Sequence, residues 1–176
     1  HFPNVTLVAI LDIDQALFSS DFRSIEKMGQ LITQVAGRTG RAEKPGQVLL
    51  QTQNPHHPML RQLLEKGFAS FSTTLLTERQ SLGLPPYSYQ VLIRAEAKTF
   101  KRAEHFLNLV KIELQSIRTN DLECMGPIPA PMEKRQGLYR AQLLLQSNKR
   151  SNLHMLLHQL MPKIQSFPIA QKMRWS

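Results

Sequence analysis

The second half of the chain contains two segments with apolar residues at helical spacing, and a strand-like segment precedes each of them. In residues 91–96 and 139–146 side chains alternate in the way that predicts strands with one buried face. The helical stripes are Ala103, Phe106, Leu107, Val110, Leu114 and Ile117, then Leu153, Leu156, Leu157, Leu160 and Ile164. Each stripe predicts a helix that packs one face on a core.

Two further strands complete this pattern. We expect a short strand at residues 123–126, a proline-rich loop at 127–131, a basic hairpin tip at 134–137 and a last strand at 172–175. The order β-α-β-β-α-β predicts a ferredoxin-like split βαβ domain, whose two helices cover one face of an antiparallel sheet. We expect Pro162 to kink or shorten the last helix, and Trp175 to pack in the core.

The first part of the chain predicts a βαβ unit. Residues 5–11 form a continuous apolar run typical of a buried parallel strand, and residues 47–52 form another strand. Apolar spacing predicts a helix between them that begins after residues 19–21 and fades around 37–40. Asp12 and Asp14 follow the first strand, where they either face a ligand or are solvated.

Residues 54–86 predict a helical connector. Two helical pieces end at Gly67 and Gly83, and Pro85-Pro86 prevents continuation. His56 and His57 are adjacent and point in different directions, so they make a poor metal pair. We expect no metal site in this chain.

Charge and composition narrow the classes of partner. The net charge is +9, and residues 98–176 hold thirteen Lys/Arg against five Asp/Glu, a balance of +8. This asymmetry indicates either a polyanion partner, most often nucleic acid, or a soluble basic surface. The single cysteine excludes a disulfide within the chain and a cysteine-rich zinc site. No apolar run is long enough to predict a membrane span.

Residues 34–41, with the sequence QVAGRTGR, carry two arginines interleaved with two glycines. Guanidinium groups suit phosphate oxygens, and glycines let the backbone turn or pack closely. No Gly-Lys-Ser/Thr follows, so this is not a phosphate-binding loop of the P-loop kind. The alternative is that Arg38 and Arg41 neutralise the C-terminal dipole of the helix.

Six stretches together carry a resemblance to a known family. The chain resembles the C-terminal part of the PriA family of primosomal replication-restart DNA helicases (primosomal protein N′), in superfamily 2. The matching stretches are residues 2–9, 18–24, 34–41, 46–52, 78–80 and 84–86.

The resemblance implies a domain organisation. Residues 1–53 are similar to the last portion of the second RecA-like lobe, an α/β unit, and 54–86 to a helical linker. Residues 87–176 are similar to the family's basic α+β DNA-binding domain.

The resemblance also implies catalytic roles for the stretch at 34–41, which is similar to helicase motif VI. Arg41 matches the arginine finger, and Arg38 is a phosphate-facing candidate. Gln34 and Gly37 complete the implied nucleotide contacts. The intact enzyme uses ATP and magnesium, and its zinc sites lie upstream. We expect the fragment alone to bind no cofactor and to be inactive, because the phosphate loop and acidic magnesium motif are absent from it.

The basic domain holds the remaining candidates. Lys134, Arg135, Tyr139 and Arg140 lie on a predicted loop and strand start, where cations and a stackable ring suit DNA. The alternative is a solvated loop with Tyr139 packed beneath.

Lys149 and Arg150 are placed at a helix N-terminus, where backbone N–H groups favour anions. The resemblance makes them candidates for holding the acidic tail of single-strand-binding protein. It also implies that forked and single-stranded DNA and other primosome proteins are partners, and that the protein acts in the bacterial cytoplasm. A non-motor nucleic-acid-binding module or a protein-docking module remains the alternative.

Overall fold

The structure, a computed structural model, describes residues 5–37, 46–117 and 121–176. It divides the chain into two compact units, residues 1–78 and residues 79–176, which we call the N-terminal and C-terminal units. No helix among the described residues combines the length and apolarity that crossing a membrane requires.

The N-terminal unit is built on two parallel strands, as the sequence predicts. Its elements are β1 (Leu7–Ile10), α1 (Asp14–Leu17), α2 (Ser24–Ala36), β2 (Gln47–Leu50) and α3 (Pro58–Ser81), the last of which runs three residues into the C-terminal unit. β1 and β2 pair in parallel. The one-turn helix α1 was not predicted. The predicted cap at residues 19–21 is wrong, since Arg23 precedes α2, but the Asp21 carboxylate accepts the Arg23 N–H at 3.0 Å.

α3 consists of two helical segments, which confirms the predicted break at Gly67. Gly67 has φ 77° and ψ 174°, a conformation that interrupts the helix. Across the break, the Gln62 side-chain amide donates to Thr74 Oγ1 at 2.6 Å and to Ser70 O at 3.1 Å. Much of the predicted connector therefore packs in the core of the N-terminal unit. Met59, Leu60, Leu63, Phe71 and Leu75 of α3 are buried there together with Ile13, Leu17, Met28 and Ile32.

The C-terminal unit has the predicted β-α-β-β-α-β order. Its elements are β3 (Tyr89–Ala97), α4 (Phe100–Ser116), β4 (Leu122–Arg135), β5 (Leu138–Ser147), α5 (Arg150–Ser166) and β6 (Arg174–Trp175). The sheet order is β4-β5-β3-β6 with every pair antiparallel. Each helix thus connects two strands that are separated by a third, which is the split βαβ arrangement.

The predicted proline loop at residues 127–131 is wrong, because those residues belong to the long strand β4. Proline cannot donate to a ladder, but β4 lies at the sheet edge, where one side of the backbone needs no partner. The register shifts between Met125 and Ile128 and again between Pro129 and Lys134. These irregularities accommodate the prolines without ending the strand.

α4 and α5 pack on one face of the sheet and bury a single apolar core. Phe106, Leu143 and Leu156 are fully buried there, and the Trp175 ring lies 5.9 Å from that of Phe106, as predicted for a packed tryptophan. The expectation that Pro162 shortens α5 is wrong, since the helix continues to Ser166. Pro162 is exposed, so water can hydrate the carbonyl that loses its donor.

Candidate nucleic-acid interface

The stretch that resembles motif VI begins in the last turns of α2. Gln34 is exposed near the helix end, and Gly37 follows Ala36 with φ −71° and donates its N–H to Thr33 O at 3.1 Å. The helix ends where the sequence predicts. Arg38 and Arg41 lie outside the described residues, so their roles remain predictions.

Asp14 is engaged inside the N-terminal unit. Its carboxylate accepts hydrogen bonds from the Gln53 N–H at 2.7 Å, Thr52 Oγ1 at 2.7 Å and the Asn54 amide at 3.1 Å. These hydrogen bonds lower the pKa of Asp14, and the bond from the Gln53 N–H has the largest effect. The carboxylate therefore ties the segment after β2 to the start of α1, which is a structural role.

The predicted basic hairpin tip is present between β4 and β5. Gln136 and Gly137 form its two-residue turn with φ 51° and 79°, the positive values that tight hairpins with matching twist require. Lys134 pairs with Tyr139 across the strands, and its Nζ lies 4.9 Å from the centre of the tyrosine ring. Lys134 and Arg135 are exposed. The tip therefore presents two cations, and one face of the ring is covered by Lys134.

Arg140 does not join Lys134 and Tyr139, although it follows them closely in sequence. Neighbouring residues of a strand point to opposite faces, and β5 buries Ala141, Leu143 and Leu145 against the helices. Arg140 therefore projects from the face without helices, which we call the open face. There its Nε lies 3.0 Å from Glu96 Oε1.

Lys149 and Arg150 occupy the N-terminus of α5, as predicted. Lys149 is the residue before the helix, with φ −123° and ψ 123°, and both side chains are exposed. The Arg150 Nε donates to His154 Nε2 at 3.3 Å, which orients the guanidinium along the helix. An anion at this end would meet two cations and the positive end of the helix dipole.

Sequence reasoning missed a charged groove on the open face. Arg94, Glu96, Arg140 and Arg174 line a groove of about 470 Å³ together with Met173, Trp175 and Ser176. The available signal was the alternation along β3. Because Ile93, Ala95 and Ala97 face the core, Arg94 and Glu96 must face the other way. The partners of β3 across the sheet could not be read from the sequence.

The described residues contain no group of three or more His, Cys, Asp or Glu side chains arranged to hold a metal ion. His57 is instead engaged locally, because its Nδ1 accepts the Met59 N–H at 3.3 Å and its ring meets Phe18 edge to face. Cys124 is a free thiol whose pKa is raised by burial.

Comparison with known proteins agrees with the resemblance. The family model described as primosomal protein N C-terminal domain matches residues 80–176, which begin within two residues of the division between the two units. The chain is 48% identical to the replication restart protein PriA of Haemophilus influenzae over 90% of its length, and 34% identical to that of Bacillus subtilis over 91%. It spans about a fifth of each relative, 22% and 20% respectively. The chain therefore belongs to the primosomal protein N C-terminal domain family.

Proposed function

We propose that this chain is the part of an ATP-dependent replication-restart DNA helicase that binds DNA and completes the motor's catalytic cleft. The observation that carries the proposal is the exposed two-cation hairpin tip on a domain of this family. Bacterial relatives are named replication restart proteins, which supports a role in replication restart. The proposed partners are stalled and branched forks, single-stranded DNA and primosome proteins in the bacterial cytoplasm.

DNA binding rests on Lys134 and Arg135. Both lie at the end of β4, directly before the two-residue turn, so they reach phosphates while the strands hold them in place. Contacts of this kind bind DNA independently of sequence and weaken with salt. Tyr139 supports Lys134 through its ring face, and its other face is the candidate for stacking on a base.

The test is binding of single-stranded, forked and duplex DNA over a salt series. We expect Lys134→Gln with Arg135→Gln to weaken binding and to reduce the salt slope by about 0.7 per phosphate contact on a single strand. Lys101→Gln with Arg102→Gln removes the same charge from exposed positions on α4 and is the matched control. Wild-type chain that shows no salt-dependent binding contradicts DNA contact.

The proposed catalytic role concerns the second RecA-like lobe, of which the N-terminal unit is a portion in this proposal. The described residues of the stretch 34–41 would not bind a nucleotide by themselves. The C-terminal end of α2 carries negative partial charge, which repels phosphate. Arg38 and Arg41 would offset that charge, and the intact enzyme supplies the phosphate loop and magnesium. An arginine beside the transferred phosphoryl group stabilises charge that develops there.

In the intact enzyme, we expect Arg41→Ala to reduce DNA-stimulated ATP hydrolysis about a thousandfold and to leave DNA binding unchanged. Lys66→Ala, an exposed position on α3, is the control. Normal turnover in Arg41→Ala refutes the arginine-finger role.

A second function, docking of an acidic tail, is favoured by Lys149 and Arg150 at the exposed N-terminus of α5. We expect Arg150→Ala to weaken binding of a peptide that matches the acidic tail of single-strand-binding protein, while Lys163→Ala near the other end of α5 leaves it unchanged. Equal affinities in the two variants would reject this docking site.

A further inference from the structure

The groove on the open face is formed by three strands that are distant in sequence. Arg94 and Glu96 come from β3, Arg140 from β5 and Arg174 from β6. Glu96 is directly opposite Arg140 on one side and Arg174 on the other. Directly opposed residues on one face have Cβ atoms about 5 Å apart, so the three side chains form one row across the sheet.

The charges of this groove are not balanced. Glu96 pairs with Arg140, whose side chain is only 17% exposed. Arg94 and Arg174 are exposed, and no side-chain hydrogen bond or ion pair with another described residue is found for either. Three arginines against one glutamate leave a net side-chain charge of +2. The groove is therefore suited to an anion that Arg94 and Arg174 contact first.

The backbone fixes these arginines in place. The N–H of Arg94 donates to Ser176 O at 2.8 Å, and the N–H of Ser176 donates to Arg94 O at 3.0 Å. β6 is thereby held against β3 at Ser176, two residues beyond Arg174. A site on paired strands positions charges more accurately than a site on loops.

The groove is continuous with the hairpin tip. Arg135 pairs with Leu138, which lies two residues before Arg140 and projects from the same face. Two residues along a strand span about 6.6 Å, and neighbouring strands are about 4.8 Å apart. Arg135, Arg140 and Arg174 therefore form a basic band that crosses the open face from the tip to β6.

We propose that this groove, which we call the open-face groove, binds backbone phosphates of single-stranded nucleic acid that continues from the hairpin tip. The inference rests on the proposed DNA binding and adds Arg94, Arg174 and Arg140 as its second contact region. Guanidinium groups spread along a band fit the successive phosphates of an extended strand. A single terminal carboxylate would instead require arginines that converge on one point.

Glu96 offsets part of the positive charge of this site. Its carboxylate lies 3.0 Å from Arg140 Nε and neutralises part of the charge of that guanidinium. Removing that carboxylate raises the net side-chain charge of the groove from +2 to +3, so Glu96→Gln should tighten binding of a polyanion. A merely structural salt bridge would leave affinity unchanged or lower it.

The test is fluorescence anisotropy of labelled oligothymidylate with the full chain of 176 residues over a salt series. Arg94→Gln with Arg174→Gln should weaken binding about tenfold at low salt, as expected when two exposed cations each contribute a modest amount. The salt slope should fall by about 0.7 for each phosphate that the variant no longer neutralises. Gln keeps much of the side-chain length, so packing over the sheet is retained.

The matched control is Lys101→Gln with Arg102→Gln, which removes two charges from exposed positions on α4, against the other face of the sheet. Thermal unfolding of each variant verifies the fold. Glu96→Gln is expected to change the affinity in the opposite direction, because this variant should bind the oligonucleotide more tightly than the wild type.

Each outcome separates this inference from the proposed function. Loss of affinity in the groove variant but not in the control supports the groove. Wild-type affinity in the groove variant, with salt-dependent binding otherwise intact, overturns the groove alone. No binding by the wild type overturns both. An acidic peptide that binds in an Arg94- and Arg174-dependent way while oligothymidylate does not would also overturn the inference and assign the groove to a protein.

Discussion

The two units of this chain differ in how completely their sheets are covered. Among the described residues, the C-terminal unit has four strands, and both helices seal one face over a core of sixteen buried residues. The described part of the N-terminal unit has two strands, and its buried core has nine residues, several of them from α3. Leu7, Leu11, Phe18 and Leu49 are more than half exposed in the N-terminal unit, and Leu82, Ile112, Met132 and Met155 are more than half exposed in the C-terminal unit. The units therefore differ in the size of their cores and not in the number of their exposed apolar side chains.

An apolar groove of about 380 Å³ in the N-terminal unit shows a second difference. It is lined by Ile10, Leu11, Ile13, Ala16, Met28 and Leu31, with a few polar neighbours. The groove on the C-terminal unit is lined mainly by arginine and glutamate. Exposed apolar surface indicates a surface that another segment or chain covers, whereas exposed charge suits a solvated site. The groove of the N-terminal unit is therefore suited to apolar contacts, and the groove of the C-terminal unit is suited to charged ones.

The largest expected effect is on folding of the separate units. Residues 79–176 should fold alone and unfold cooperatively, because their core draws only on their own elements. Residues 1–78 should associate, since Leu11 and Leu31 line an apolar groove and are exposed. Circular dichroism and light scattering of the two pieces test this. An unfolded C-terminal piece, or a monomeric folded N-terminal piece, would remove the contrast.

Core truncation should act on one unit at a time. Leu60 and Leu143 are 2% and 0% exposed in the two cores, so Leu60→Ala and Leu143→Ala should each cost about 2–5 kcal/mol. Trp175, the single tryptophan, packs on the C-terminal core, so its fluorescence reports that unit alone. Urea unfolding should show a shifted fluorescence midpoint in Leu143→Ala only. A shift of similar size in Leu60→Ala would mean that the units unfold together.

A smaller effect on stability is expected from substitutions at two glycines with similar φ. Gly67 and Gly137 have φ 77° and 79°, and an added Cβ would meet no atom within 4 Å at either. Gly67 combines this φ with ψ 174°, a region almost restricted to glycine, so Gly67→Ala should cost about 1–3 kcal/mol. Gly137→Ala should cost about 1 kcal/mol in the hairpin. Denaturation midpoints of the two variants measure the difference, and equal costs would contradict the strain assigned to Gly67.

The smallest expected effects are pH-dependent. The pKa of Glu113 is lowered by its hydrogen bond with Lys163, which joins α4 to α5, and then by Ser116. A carboxylate with a lowered pKa stabilises the fold above its ordinary pKa, and this is lost as pH falls through the lowered value. Glu113→Gln should therefore flatten the acid side of the C-terminal stability profile, and Asp14→Asn that of the N-terminal unit. Unfolding series below the ordinary values of 4.5 and 3.8 measure this. Profiles unchanged by both substitutions would contradict it.

The sequence predicted what depends on local periodicity. The helical stripes through Phe106 and Leu156 and the alternation around Ile93 determined the order of the C-terminal elements. The predicted strand at 123–126 lies within β4, but its continuation to Arg135 could not be predicted. The prolines at 127–131 are compatible with a strand only at an edge, and edge position is a property of the whole sheet.

The candidate site shows the same limit. Lys134 and Tyr139 could be paired from the hairpin, since a two-residue turn sets their register. Arg140 was grouped with them because it is near in sequence, but alternation places it on the open face. Its neighbours Arg94 and Arg174 come from strands whose order only the tertiary structure specifies. The alternation of side chains along the predicted strand would have separated Arg140 from Tyr139.

The most direct measurement of the central claim, that the C-terminal unit binds DNA by itself, is hydrogen exchange of the full chain with and without oligothymidylate. We predict protection at the hairpin tip, residues 134–140, and at β6, with residues 5–37 and 46–78 unchanged. Protection confined to the N-terminal unit, or to the outer surfaces of α4 and α5, would contradict the account.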